Sequence, residues 1–269
     1  MRRYYYIIAI CTILTCSGCG FKFKPLDFSE NKSQIEIHRY DRIESIYLTT
    51  ADYSALQQMS TDYPIETRTL IENVLQLGEI NDAEINKKFL QLFQDSILQT
   101  LISDVESEFA DMSDLTEELN NSFKELRKVL PNIIIPTVYT QIGALDQSII
   151  INDNSIGICL DKYMGANYPL YKKYYTNDQR KLMARNAIVP DCLCFYLVSL
   201  YPMHGEFEKT PVDQRDIYIA RIQWLVNKSM HNNFFQSSNI DKLEEEMESS
   251  NIKVEDLLTS TDYTTLIPR

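Results

Sequence analysis

Hydrophobic and polar positions alternate over Gln34-Ile35-Glu36-Ile37-His38-Arg39-Tyr40, the period of a half-buried strand, and a folded domain begins there. From Thr50 the period lengthens to that of a helix. Asp52 or Thr50 is placed to cap a helix carrying Tyr53, Leu56 and Met59, and Pro64 opens a second with Leu70, Ile71, Val74, Leu75 and Leu77, ended by Gly78. Asn81 opens a third helical pattern with Ile85, Phe89, Leu92 and Phe93 on one face, followed by Ile97, Leu98, Leu101, Ile102 and Val105. Asp114 to Leu130 adds a helix with Leu115, Leu119, Phe123, Leu126 and Leu130 at three- and four-residue spacing, so the first half reads as a helical layer.

The texture changes at Pro131. Ile133 to Thr140 is β-branched and aromatic, Ser148-Ile149-Ile150-Ile151 is a second such run, and Ile156 to Leu160 is a third. Asn152-Asp153-Asn154-Ser155 has turn chemistry, which predicts a hairpin between the last two runs. After Gly165 helical spacing returns over Asp178 to Leu200 (broken near Pro190), Val212 to Lys228, Asp241 to Ser249, and Val254 to Leu258. The expected class is α+β: an N-terminal helical layer, a small sheet with a hairpin in the middle, and C-terminal helices. No internal repeat is visible.

Ahead of the domain, Arg2 and Arg3 precede an apolar stretch from Tyr4 to Leu14, and the run ends in Leu14-Thr15-Cys16-Ser17-Gly18-Cys19. The stretch is far shorter than the ~20 residues of a spanning helix. A small residue directly before a cysteine is instead the layout of a lipoprotein signal peptide over residues 1–18, with Cys19 as the lipidation site. Cys16, where a Leu is usual, departs from that layout, and the alternative is an ordinary secretory signal with incidental cysteines. Acyl chains on Cys19 would attach the protein stably to a membrane. Residues 19–33, polar and containing Pro25, read as a lipidated tether, and residues 34–269 as one domain. Gly20, in place of a retention-signalling Asp, points to the outer membrane, and Phe21-Lys22-Phe23-Lys24-Pro25 lacks an acidic cluster, which favours its periplasmic face.

Loss of Arg2 and Arg3 with the leader takes the formal charge from −12 to −14. An acidic body opposes nucleic acid and anionic headgroups, and no local run of cations reverses it, so no nucleic-acid partner is expected. Cys159, Cys192 and Cys194 remain after processing. Cys192 and Cys194 on one helix would point apart, leaving either a bridge from Cys159 to one of them or three buried reduced thiols.

Candidate chemistry is sparse. The histidines are His38, His204 and His231, none in a His-Glu-x-x-His pair; His204-Gly205-Glu206 with Glu208 is the nearest approach to a ligand group, and no metal or other cofactor is expected. With seven glycines and no phosphate-cradling loop, nucleotide binding is not expected either. Carboxylate pairs among Asp146, Asp153, Asp161 and Asp191 occur by chance in so acidic a chain. Tyr163, Tyr168, Tyr171, Tyr174 and Tyr175 serve packing around the sheet or a stacking platform for glycan or peptide.

Pro136 to Thr140, the hairpin, and above all Leu160-Asp161-Lys162-Tyr163-Met164-Gly165 followed by Tyr168-Pro169-Leu170-Tyr171 resemble the gliding motility lipoprotein GldB family of Bacteroidota. Ile188-Val189-Pro190-Asp191 and Ile37 to Arg42 are similar to its later helix start and early strand, and the likeness fades after about residue 205. The resemblance implies an envelope lipoprotein of a family tied in its gliding members to cell-surface motility and the associated secretion apparatus, with no established catalytic activity. The order of elements also resembles zinc peptidases, which implies a degenerate zincin-like arrangement; where their helix carries ligands this chain reads Pro190-Asp191-Cys192-Leu193-Cys194, and proline ligates nothing. The expected function is therefore a non-catalytic interaction or accessory component meeting envelope proteins, with Asp161, Tyr163, Tyr168, Tyr171 and Asp191 as its candidate functional surface. The alternative is a peptide or glycan hydrolase using Asp161, Asp191 or the His204 region.

Overall fold

The computed structural model describes residues 34–268, so the leader, Cys19 and the tether lie outside the described residues. Twelve α-helices and one four-stranded sheet make up the described residues, an α+β fold. The chain enters at Ile35, whose amide donates to Asn120 Oδ1 at 2.7 Å while Asn120 Nδ2 donates back to its carbonyl at 2.9 Å.

The alternation at the entrance yields only the two-residue strand β1 (Ile37–His38); helix α1 (Tyr40–Thr50) starts at once. The longer strand expected there gives way because Asp41 and Glu44 turn inward on helical spacing to meet the sheet. Asp52 caps α2 (Tyr53–Asp62), accepting from Ser54 N at 2.7 Å. Pro64 opens α3 (Pro64–Arg68), which widens into a π-helical turn over Thr69–Val74. The third helical pattern splits into α4 (Ile85–Phe93) and α5 (Ser96–Glu108), since Asp95 caps the latter with bonds from Ile97 N and Leu98 N. Next comes α6 (Ser113–Val129).

Strands β2 (Thr137–Gln141), β3 (Ile149–Asn152) and β4 (Ser155–Cys159) follow, and the sheet order is β1-β2-β4-β3. β3 and β4 form the expected hairpin around Asp153 at φ +46°; β1, β2 and β4 are mutually parallel. Val138–Gln141 and Ile156–Cys159 are buried without alternation, as in strands covered on both faces. Tyr139 pairs with Gly157, where a Cβ would come within 2.5 Å of its ring, so a glycine is required at that crossing.

The short helices α7 (Tyr171–Tyr174) and α8 (Asn177–Lys181) lead to α9 (Ile188–Leu200), with Pro190 tolerated in its first turn. The fold closes with α10 (Val212–Met230), α11 (Ser238–Ser249) and α12 (Val254–Thr259). α1 packs on β2, α9 on β3 and β4, and α10 on α6, α9 and α11. Among the described residues no helix is long and apolar enough to cross a membrane.

Candidate functional site

Because β1, β2 and β4 run parallel, their carboxyl ends gather on one edge, the position where open sheets place their functional groups. Three buried carboxylates meet that edge. Asp41 accepts from Arg39 Nε at 2.8 Å and Nη2 at 2.7 Å, and from the Thr140 hydroxyl. Glu44 Oε2 accepts from Ile142 N at 2.8 Å, while its Oε1 has no hydrogen-bond partner among the described residues. Burial, with Asp161 and Asp41 adding to it, pushes the Glu44 carboxyl well above the usual range. Gln141 Nε2 donates to Cys159 Sγ at 3.2 Å, and burial raises that thiol.

Asp161, on the 3-10 turn Leu160–Lys162 that ends β4, is the third. Its two oxygens accept from Gly143 N at 2.7 Å and Leu145 N at 2.5 Å, fastening a loop in which Ala144 and Leu145 stand at φ +50° and +66°. Non-glycine residues in that region are costly unless the surroundings hold them. Burial raises the Asp161 carboxyl, and the two amide donors pull against that rise.

The tyrosines around Asp161 tie this edge to the rest of the fold. Tyr163 donates to Asp191 Oδ2 on α9 at 2.8 Å, and Tyr168 to Asp104 Oδ2 on α5 at 2.8 Å. Tyr171 donates to the Asp161 carbonyl and receives Met164 N at 3.0 Å. Tyr175 and Lys162 Nζ both donate to the Leu145 carbonyl, at 2.9 and 3.3 Å, and Lys162 lies 4.6 Å from the Tyr175 ring centroid. Tyr168, Tyr171 and Tyr175 stack edge to face at 5.2 and 5.7 Å. Burial first, and the Asp191 carboxylate second, lift Tyr163 above an ordinary phenol; burial likewise lifts Tyr168 and Tyr171, so all three act as neutral donors. Burial also lifts Asp191 to about 6, against the Tyr163 bond that lowers it.

Of the residues expected to form a functional surface, Asp161, Tyr163 and Tyr171 are therefore buried, and Tyr168 and Asp191 are half-buried. Asp161 does not cap the following helix; it clamps the loop before the hairpin. Cys159, Cys192 and Cys194 are free, the first two buried and Cys194 half-buried, so of the two alternatives the fold holds reduced thiols and not a bridge. His38 lies in β1, His204 in the loop after α9 and His231 just past α10, and Glu206 pairs with Lys209 at 2.7 Å. Among the described residues no group of three or more His, Cys, Asp or Glu side chains is placed to hold a metal. A cleft of about 670 Å³ lies elsewhere, between α10 and α11, lined by residues including Trp224, Lys228, His231 and Glu244.

Asp41, Glu44 and Gln141 were missed at the level of sequence. The helical spacing of Asp41 and Glu44 was overlaid by the alternation before Tyr40, and their sheet partners lie about a hundred residues away in the chain, while Gln141 meets Cys159 only through the pairing of β2 with β4.

The family model described as gliding motility protein GldB matches residues 23–253, while no curated protein and no solved structure matches the chain.

Proposed function

The chain belongs to the GldB family of gliding motility proteins, and we propose that it is a lipid-anchored envelope protein working as a non-catalytic interaction component. In this reading residues 1–18 are removed, Cys19 carries the acyl chains, residues 19–33 form the tether, and residues 34–269 form a single domain at the periplasmic face of the outer membrane. The protein meets other envelope proteins there rather than transforming a substrate.

One observation carries the non-catalytic part. At the strand carboxyl ends, Asp41 and Asp161 are engaged by an arginine, a hydroxyl and two backbone amides, and Glu44, which keeps one oxygen without a partner among the described residues, is sealed from solvent with them. Groups so engaged hold loops in place and have no free geometry for proton transfer to a substrate. The hydrolase alternative finds no support on α9, where the two positions at which a zinc helix needs imidazoles hold Pro190, buried and without a ligating group, and the half-buried Cys194.

Cross-linking in intact cells, followed by identification of the captured proteins, tests the reading. Repeated recovery of the same envelope proteins is the expected result. Turnover of a defined peptide or glycan by the purified chain, abolished by Asp161→Asn or Asp191→Asn, would overturn it.

A further inference from the structure

Between Met164 and Ala184 the chain forms a strap, closed at its base by an antiparallel bridge and by Gly165 N donating to the Met183 carbonyl at 2.9 Å. This strap has two faces. Its inner row is Tyr168, Tyr171 and Tyr175, hydrogen-bonded into the fold as described above. Outside that row Lys172, Lys173, Tyr174, Lys181 and Leu182 are exposed, with Tyr174 at 65% and Leu182 at 58%. Lys172 and Lys173 take part in no ion pair among the described residues, and Lys181 has only the exposed Asp178, at 2.8 Å.

The charge of the strap opposes that of the chain. Residues 162–185 contain Lys162, Lys172, Lys173, Arg180, Lys181 and Arg185 against the single acid Asp178, in a chain with 26 cations and 38 acids. The expectation that nothing local reverses the acidity fails here, because the cations are scattered in sequence and folding leaves three of them, Lys172, Lys173 and Lys181, exposed on one strap. Exposed cations beside an exposed aromatic and an exposed leucine form the pattern of a surface that rests at a membrane interface: lysines meet phosphates, while the ring and the aliphatic chain enter the headgroup layer.

We propose that the outer face of the Met164–Ala184 strap docks on the anionic phospholipid headgroups of the membrane that holds the protein. The proposal rests on the lipid-anchored reading. Residues 19–33 can reach at most about 50 Å, so the domain stays near the bilayer, and charge selects the face it turns to it. The acidic remainder is repelled and the strap is attracted, while the hydrogen bonds of Tyr168, Tyr171 and Tyr175 hold the strap to the fold. An acidic protein partner would be served by the lysines alone and leaves Tyr174 and Leu182 without a role.

The test uses the mature chain from residue 19 with Cys19→Ser, so that no acyl chain contributes, in flotation with vesicles of phosphatidylcholine alone or with one third phosphatidylglycerol. The chain is expected to float with the anionic vesicles only and to be released by salt. Each lysine at an anionic surface is worth roughly five-fold in partitioning, so the triple variant K172Q/K173Q/K181Q should lose more than ten-fold, and Y174S/L182S a comparable amount. K124Q/K242Q/K253Q, three exposed lysines elsewhere, should float as the parent does. Equal flotation with both vesicle types, flotation with neither, unchanged binding of the strap variants, or retention on polyglutamate beads without vesicle binding overturns the proposal. Mass spectrometry of the native product tests acylation separately: an acylated Cys19 with no headgroup binding sinks the strap, and headgroup binding with an unmodified Cys19 sinks the anchor.

Discussion

Asp161 and Arg221 are buried charges of opposite sign, and neither takes an ion-pair partner among the described residues. Asp161 collects amide donors from the loop before the hairpin. Arg221, on α10, collects carbonyls from the chain's last segment: Nε donates to Leu266 at 2.9 Å, Nη1 to Leu257 at 3.3 Å, and Nη2 to Asp262 at 2.7 Å and Thr265 at 2.8 Å. Each charge takes the backbone groups that irregular segments leave unpaired, so the anion organises N–H groups and the cation C=O groups. The two cradles differ in reach and in chemistry. Asp161 spans two donors two residues apart in one loop; the Arg221 fork spans ten residues of tail, and a guanidinium cannot lose its proton while a carboxyl can.

The comparison breaks most visibly at Arg221. Arg221→Met keeps much of the volume but leaves four carbonyls without their donor, and burial of each unpaired acceptor is costly. A loss of about 3–5 kcal/mol in urea denaturation is expected, the range found when one partner of a buried charged set is removed. Hydrogen exchange should accelerate first over residues 257–266. A loss below about 1 kcal/mol would mean that the tail is held by Leu257, Leu258 and Tyr263 packing on α10 rather than by the cation.

Asp161→Ala ranks next, at about 2–4 kcal/mol, because it leaves two amide donors unpaired and frees a loop held at positive φ. Asp161→Asn sharpens the contrast: one oxygen still accepts, the new amide opposes the other donor, and about half the loss should remain. Equal losses for both substitutions would show that the charge, not the pair of acceptors, holds the loop.

These cradles explain what was legible in the sequence. Apolar spacing located α6 and α10, and turn chemistry located the hairpin, since Leu115, Leu119, Phe123 and Leu126 all face the core and Asp153 turns as its side chain permits. Spacing could not show that Asp41 and Glu44 are interior, because an acid in a helix reads as solvent-facing until a partner strand a hundred residues on is in place. Arg221 carries no local mark for the same reason. The tyrosines were legible as a cluster but not as two faces: Tyr171 goes in and Tyr174 goes out, three residues apart, which only the position of Asp161 decides.

Asp191 gives the smallest and most selective test, since it is a half-buried acid with one side-chain donor, Tyr163, where Asp161 has two amides. Burial raises its carboxyl to about 6, above the unfolded value of about 3.9. A raised folded value means that the native state holds the proton more tightly than the unfolded chain. Its contribution therefore favours folding below about pH 4 and is lost as pH climbs through 6. Asp191→Asn removes that titration while keeping an oxygen for Tyr163. The variant should gain about 1–2 kcal/mol over the parent at pH 8, and the gain should shrink to nothing toward pH 4 in a series of urea midpoints. Glu44 and the other raised carboxylates titrate in both chains and cancel in the difference, so a gain that does not vary with pH would show that Asp191 is already neutralised or solvated in the native fold.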